Sequence, residues 1–77
     1  MAVESIQAML RDAFPEADTV DVLDRTGGGD HFHVTVVSAR FGGMTLIDQH
    51  RLVNAALAAP LADGTIHELR ITTRGTP

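Results

Sequence analysis

Between Asp30 and Ala39 the chain reads His31-Phe32-His33-Val34-Thr35-Val36-Val37-Ser38, in which bulky apolar residues alternate with polar ones. A period of two puts Phe32, Val34 and Val36 on one face and His31, His33 and Thr35 on the other, the pattern of a strand with one buried side. Such a strand needs a paired neighbour and a covering layer, and the flanking segments provide both. Val20 and Val22 alternate with Asp21, and Leu23 follows on the opposite face, in a first strand over Thr19 to Asp24. Arg25-Thr26-Gly27-Gly28-Gly29-Asp30 then reads as a flexible connection, so the two strands make a β-hairpin with a glycine-rich loop.

Helical spacing appears on both sides of this hairpin. From Val3 to Phe14, the residues Ile6, Met9, Leu10 and Ala13 recur at intervals of three and four, and Pro15 discourages continuation. After Phe41-Gly42-Gly43, where the glycines suit a tight turn, a second helix is predicted from Thr45. Thr45 as N-cap with Asp48 three residues on approximates a capping box. Leu46, Val53 and Leu57 form its stripe, widened by Ile47, Leu52 and Ala56. Pro60 is expected to interrupt, with Leu61-Ala62 one further turn and Asp63-Gly64 the exit. A last strand is predicted over Thr65 to Thr73, with Leu69 and Ile71 on its helix side and His67 on that same face. The resulting string is αββααβ, an α+β fold. A right-handed crossover lays the third strand parallel to the second, giving a three-stranded mixed sheet with helices on one face.

Size and charge narrow the function. With 77 residues there is room for one domain, taken as 1–77, and no internal repeat or linker is visible. The net charge is −4, and the six bases, Arg11, Arg25, Arg40, Arg51, Arg70 and Arg74, are scattered. That balance disfavours a protein held to nucleic acid mainly by phosphate contacts. The chain has no cysteine, which removes disulfides, thiolate zinc sites and any self-contained thiolate cluster. No secretory leader and no membrane-length apolar run is read from the sequence, so a cytoplasmic location is expected. Ser5 and Ser38 sit in no nucleophile motif, Gly27-Gly28-Gly29 joins two strands and opens no helix, and Asp21 and Asp24 read as solvated charges. Catalysis is not expected.

The block from His31 to Met44 resembles the BolA pattern of a histidine–phenylalanine strand, a Val-Val-Ser turn and a Phe-x-Gly. His50-Arg51-Leu52-Val53-Asn54 is similar to that family's arginine–histidine–arginine–leucine–valine helix, and Ile66-His67-Glu68-Leu69 to its final strand. The resemblance runs from about residue 5 to the C-terminus and implies a class II KH-like fold. It departs at Gln49, where the helix signature has its first basic residue, and at the end, where many relatives continue into a Trp-containing tail.

What the resemblance implies centres on histidines. The BolA histidine matching His67 is a ligand to a [2Fe–2S] cluster shared with a monothiol glutaredoxin and its bound glutathione. Considered alone, His67 would be a structural residue at a strand end. Relatives often carry a second histidine or cysteine in the loop between the first two strands; here His31 at the loop's end is the nearest substitute, against a reading as a solvent-facing strand residue. His33, two residues on, makes an H-x-H spacing that is common by chance. His50 reads as structural, with nucleic-acid contact by His50 and Arg51 as the rival.

A cluster needs four ligands and this chain offers one or two imidazoles, so the arithmetic calls for a partner. The isolated chain is expected to hold no cofactor, and a weak homodimer is left open. A role in iron–sulfur trafficking or iron sensing follows from the resemblance. The alternative is a nucleic-acid-binding transcriptional regulator of BolA type. Against it stand the acidic balance, Gln49 and the lack of a G-x-x-G clamp, because Asp30 stands three residues after Gly27.

Overall fold

The computed structural model describes residues 2–76. Its three strands, β1 (Thr19–Asp24), β2 (His31–Val37) and β3 (Glu68–Arg74), form one sheet of order β1-β2-β3. β1 lies antiparallel to β2, with Thr19 opposite Val37 and Asp24 opposite Phe32. β3 runs parallel to β2, with His31 opposite Glu68 and Val37 opposite Arg74. Cross-strand partners share a face. Val20, Val22, Leu69, Ile71 and Thr73 therefore lie with Phe32, Val34 and Val36, while Asp21, Leu23, Glu68, Arg70, Thr72 and Arg74 lie with His31, His33 and Thr35.

Phe32, Val34 and Val36 are fully buried, as the alternation requires. Over them pack Ile6 and Leu10 of α1 (Ala2–Ala13), Val53 of α2 (Leu46–Ala56), and Leu57 at the junction with α3 (Ala58–Ala62). Each such side chain contributes about 1.5–3 kcal/mol by leaving water. The expected αββααβ order, mixed sheet and one-sided helical layer are all present, with a single 3-10 turn, Ala39–Phe41, added after β2.

Several boundaries differ from the sequence reading, each for a local reason. Pro60 lies inside α3 and the helical break comes earlier, at Leu57 (φ −106°, ψ 20°). A proline ring collides with the carbonyl four residues back, here that of Ala56, the last residue of α2; within a first helical turn its missing N–H costs nothing. Thr45 does cap α2, its hydroxyl accepting the Asp48 N–H at 3.2 Å. Leu46 and Ile47, expected on the buried stripe, are exposed instead. Gln49, one turn before the buried Val53, fills that part of the stripe: its amide donates to the Met44 carbonyl at 3.0 Å and accepts from the Thr73 hydroxyl.

β3 begins at Glu68, three residues later than expected. Asp63 holds the preceding turn, accepting the Thr65 N–H at 2.8 Å and the Thr65 hydroxyl at 2.6 Å. These bonds hold the Asp63 carboxyl below its usual range, the hydroxyl's being the larger influence. The Ile66 N–H donates to the Pro60 carbonyl at 3.1 Å, and its side chain enters the core at 3% exposure. Because residue 66 has taken the inward position, period two does not reach back from Leu69 to His67. His67 is exposed, not on the inner face.

Candidate functional site

The loop that carries the first part of the site is tied, contrary to the flexible reading. The Asp24 carboxylate accepts backbone N–H groups from Thr26 (3.3 Å), Gly27 (2.9 Å) and Gly29 (3.0 Å). Gly27 and Gly29 have φ of +77° and +78°, a region L side chains rarely enter. The Arg25 N–H then donates to the His31 carbonyl at 2.8 Å, closing the loop onto β2. Asp24 is thus a loop-ordering residue and not simply a solvated charge.

Asp30 sits at the end of this loop and joins three elements. Its carbonyl accepts the N–H of His67 at 2.8 Å and of Glu68 at 3.2 Å, which starts the pairing of β3 with β2. Its carboxylate lies between two imidazoles, Oδ1 at 2.8 Å from His31 Nδ1 and Oδ2 at 3.3 Å from His67 Nδ1. The ring centroids are 6.4 Å apart and the planes nearly perpendicular, at 85°. The hydrogen bond from His31 is the main reason the Asp30 carboxyl titrates below its ordinary range, and either ring, when protonated, acts the same way. A carboxylate at Nδ1 favours the proton there and leaves Nε2 as the lone-pair nitrogen, the arrangement that orients metal-binding histidines.

The two rings are not equivalent. The His67 side chain is 64% exposed and directed outward, whereas that of His31 is 32% exposed, with Nε2 3.7 Å from Glu68 Oε2. Arg25 Nη1 donates to the other Glu68 oxygen at 2.8 Å. His67 therefore offers the freer nitrogen, and His31 the more screened one.

Of the residues singled out in the sequence, His31 and His67 are brought together and the others are not. His33 Nε2 is engaged by the Thr72 hydroxyl at 2.8 Å, so the H-x-H spacing builds no pair. His50 lies half-buried on α2, apart from the corner; Arg51 is exposed and 3.7 Å from Asp48. Among the described residues no three His, Cys, Asp or Glu side chains converge to hold an ion. Two imidazoles, one with an open Nε2 and one whose Nε2 is screened by Glu68, suit borderline metals but make half of a four-ligand set. The donors fit a shared group and do not fit a self-contained one. Asp30, the residue that organises the corner, was missed as a site residue; only its place at the end of the glycine run and next to His31 marked it.

The opposite end of β2 is built differently. Ser38 is fully buried; its hydroxyl accepts the Arg40 N–H at 3.2 Å and donates to Glu16 Oε1 at 3.2 Å. The Arg40 guanidinium pairs with both Glu16 oxygens (2.9 and 3.3 Å), donates to the Ala13 carbonyl at 3.0 Å and lies 5.2 Å above the Phe14 ring. Glu16 is held below its usual carboxylate range, chiefly by a backbone N–H, with Ser38 and Arg40 assisting.

Comparison with known proteins places the chain in a family. The model of the family described as BolA-like protein matches residues 6–77. A human protein named BolA-like protein 1 is 37% identical over 83 residues, covering 95% of this chain and 60% of its own length. The chain thus spans about six-tenths of that relative. A Vibrio cholerae protein named DNA-binding transcriptional regulator BolA is 52% identical over 50 residues, 65% of this chain and 46% of that protein. Among solved structures, BolA1 from Arabidopsis thaliana superposes with a TM-score of 0.88 at 27% identity, covering 100% of this chain and 98% of that one.

Proposed function

This chain belongs to the BolA family, and we propose that it partners a monothiol glutaredoxin, lending histidine ligation to a shared [2Fe–2S] cluster for iron–sulfur trafficking or iron sensing. The observation that carries this reading is the Asp30 carboxylate bridging His31 Nδ1 and His67 Nδ1, with the His67 ring turned to solvent. His67 would be the principal ligand through Nε2 and His31 the second candidate. Asp30 orients both rings and fixes their tautomer. Glu68, held by Arg25, screens His31 and sets the negative side of the corner. The missing ligands come from the glutaredoxin cysteine and glutathione, because this chain contains no thiol. Replacing thiolate by neutral imidazole leaves a bound cluster less negative and raises its reduction potential, as in Rieske centres.

The test is reconstitution of the chain with a monothiol glutaredoxin, glutathione, iron and sulfide. The wild-type mixture should show a histidine-perturbed visible absorption and circular dichroism spectrum, and His67→Ala should lose that perturbation. A spectrum unaltered by His67→Ala removes His67 as a ligand; one altered only by His31→Ala transfers the role to His31.

A second reading, DNA-binding regulation, is favoured by the name of the Vibrio relative. His50 and the exposed Arg51 on α2 would carry it, against a net charge of −4. A gel-shift assay on duplex DNA across a salt series separates the two, since phosphate-driven binding weakens steeply with salt. No shift at low salt retires this reading for the chain.

A further inference from the structure

The two edges of the sheet are treated unequally. On the β1 edge, α1 intervenes: the Gln7 side-chain amide donates to the Val20 carbonyl at 3.2 Å and occupies an outward backbone group. β3 has no neighbour beyond it among the described residues, and it is seven residues long with no proline. The carbonyl of Arg74 and the N–H of Glu68 face β2, where they bond Ser38 and Asp30. Backbone groups alternate along a strand, so the N–H and C=O groups of Leu69, Ile71 and Thr73 face outward. Leu69 and Ile71 are on the core face yet only partly buried, as a core that stops one strand short would leave them. A long unguarded edge of this kind is a template for another strand.

We propose that this edge pairs antiparallel with β3 of a second copy of the chain, about a twofold axis at Ile71, producing a continuous six-stranded sheet. Only outward-facing residues can exchange backbone bonds across such a pair, which limits the registers to those matching Leu69, Ile71 and Thr73 among themselves. Centred on Ile71, Leu69 faces the second copy's Thr73, and every outward N–H and C=O of the three residues is satisfied. On the open face, Glu68 then stands opposite the second copy's Arg74, twice by symmetry, and Arg70 opposite its Thr72. Sliding the pair to centre on Arg70 sets Arg70 against Arg70; centring on Thr72 sets Arg70 against Arg74. Like charges directly opposite destabilise a sheet and opposite charges stabilise it. Centring on Leu69 or Thr73 pairs only one outward residue within the strand; of the registers that pair two or more, charge selects the one centred on Ile71, and it is isologous, as a closed twofold dimer must be. Arg70 and Arg74, like Arg11 on α1, have no ion-pair partner among the described residues, whereas Arg25, Arg40 and Arg51 each have one. The interface is small, so the association is weak and concentration-dependent.

Sedimentation velocity of the full chain over a range of concentrations gives the first readout, with a monomer–dimer equilibrium expected in the micromolar to millimolar range. Two single charge reversals give the second. Glu68→Arg sets the introduced arginine against the second copy's Arg74, and Arg74→Glu sets the introduced glutamate against its Glu68. Each variant alone should therefore be monomeric at concentrations where the wild type dimerises. Mixed in equal amounts, the two restore pairs of opposite charge and should form a heterodimer. Circular dichroism of each variant confirms folding; if Glu68→Arg is unfolded through loss of its Arg25 contact, Arg74→Lys (dimer kept) against Arg74→Glu (dimer lost) makes the same comparison. A wild type monomeric at millimolar concentration, a dimer indifferent to Arg74→Glu, or a mixture of folded variants that stays monomeric overturns the proposal.

Discussion

The two ends of β2 present the same kinds of side chain in opposite states. At one end Ser38, Arg40 and Glu16 satisfy one another around a buried hydroxyl, with Gln49 and Thr73 bonded beside them. At the other, Asp30 serves two histidines from one carboxylate and leaves a ring nitrogen of each outside any bond shorter than 3.7 Å. A saturated network rigidifies a fold; an unsaturated one retains capacity for a ligand. The difference separates what holds the sheet together from what is available to another molecule.

The largest effect expected from breaking this contrast is at the closed end. Phe41 is 1% exposed and packs 5.5 Å from Phe14, so Phe41→Ala should destabilise the chain by about 3–5 kcal/mol. Chemical denaturation at fixed pH measures it. Ser38→Val, which strands the Arg40 N–H and removes a donor from Glu16, should cost about 1–3 kcal/mol in the same assay. At the open end, Asp30→Asn, which keeps an acceptor for only one of the two rings, should lower the denaturation midpoint only slightly, yet lower cluster occupancy in the glutaredoxin mixture by about tenfold. If Asp30→Asn instead unfolds the chain, the two ends are alike and the contrast fails.

The smallest effect is in acid. The Glu16 carboxyl is held below its ordinary value of 4.5 in the folded chain. Its contribution is present above that value and is lost as the pH falls through the lower, folded one. Stability should therefore decline as the pH drops below about 4.5, and Glu16→Gln should make that decline shallower. An unchanged acid limb in Glu16→Gln would assign the loss to other carboxyls.

Much of this architecture was legible because one strand has a strict alternation. Phe32, Val34 and Val36 announce the buried face, and Thr45 announces the start of α2. The family resemblance singled out His67, with His31 as the nearest substitute for a loop ligand, but it did not say that the two rings meet. Pairings between distant residues were not legible. Asp30 is 37 positions from His67, and its role depends on β3 starting late, which the Asp63–Thr65 turn decides. Gln49 looked like a lost phosphate contact because its charge was counted and its reach was not; it links the Met44 carbonyl to Thr73. Leu46 and Ile47 were placed on the buried stripe because periodicity does not say where a helix overhangs its sheet.

The neighbour of His67 has one more implication. Ile66 is anchored in the interior, and its N–H is fastened to Pro60, while the N–H of His67 is fastened to Asp30. The backbone beneath the imidazole is clamped on both sides, so only its side-chain torsions are free to turn. A docking molecule meets a handle with no slack, and little motional freedom remains to be surrendered when it is grasped.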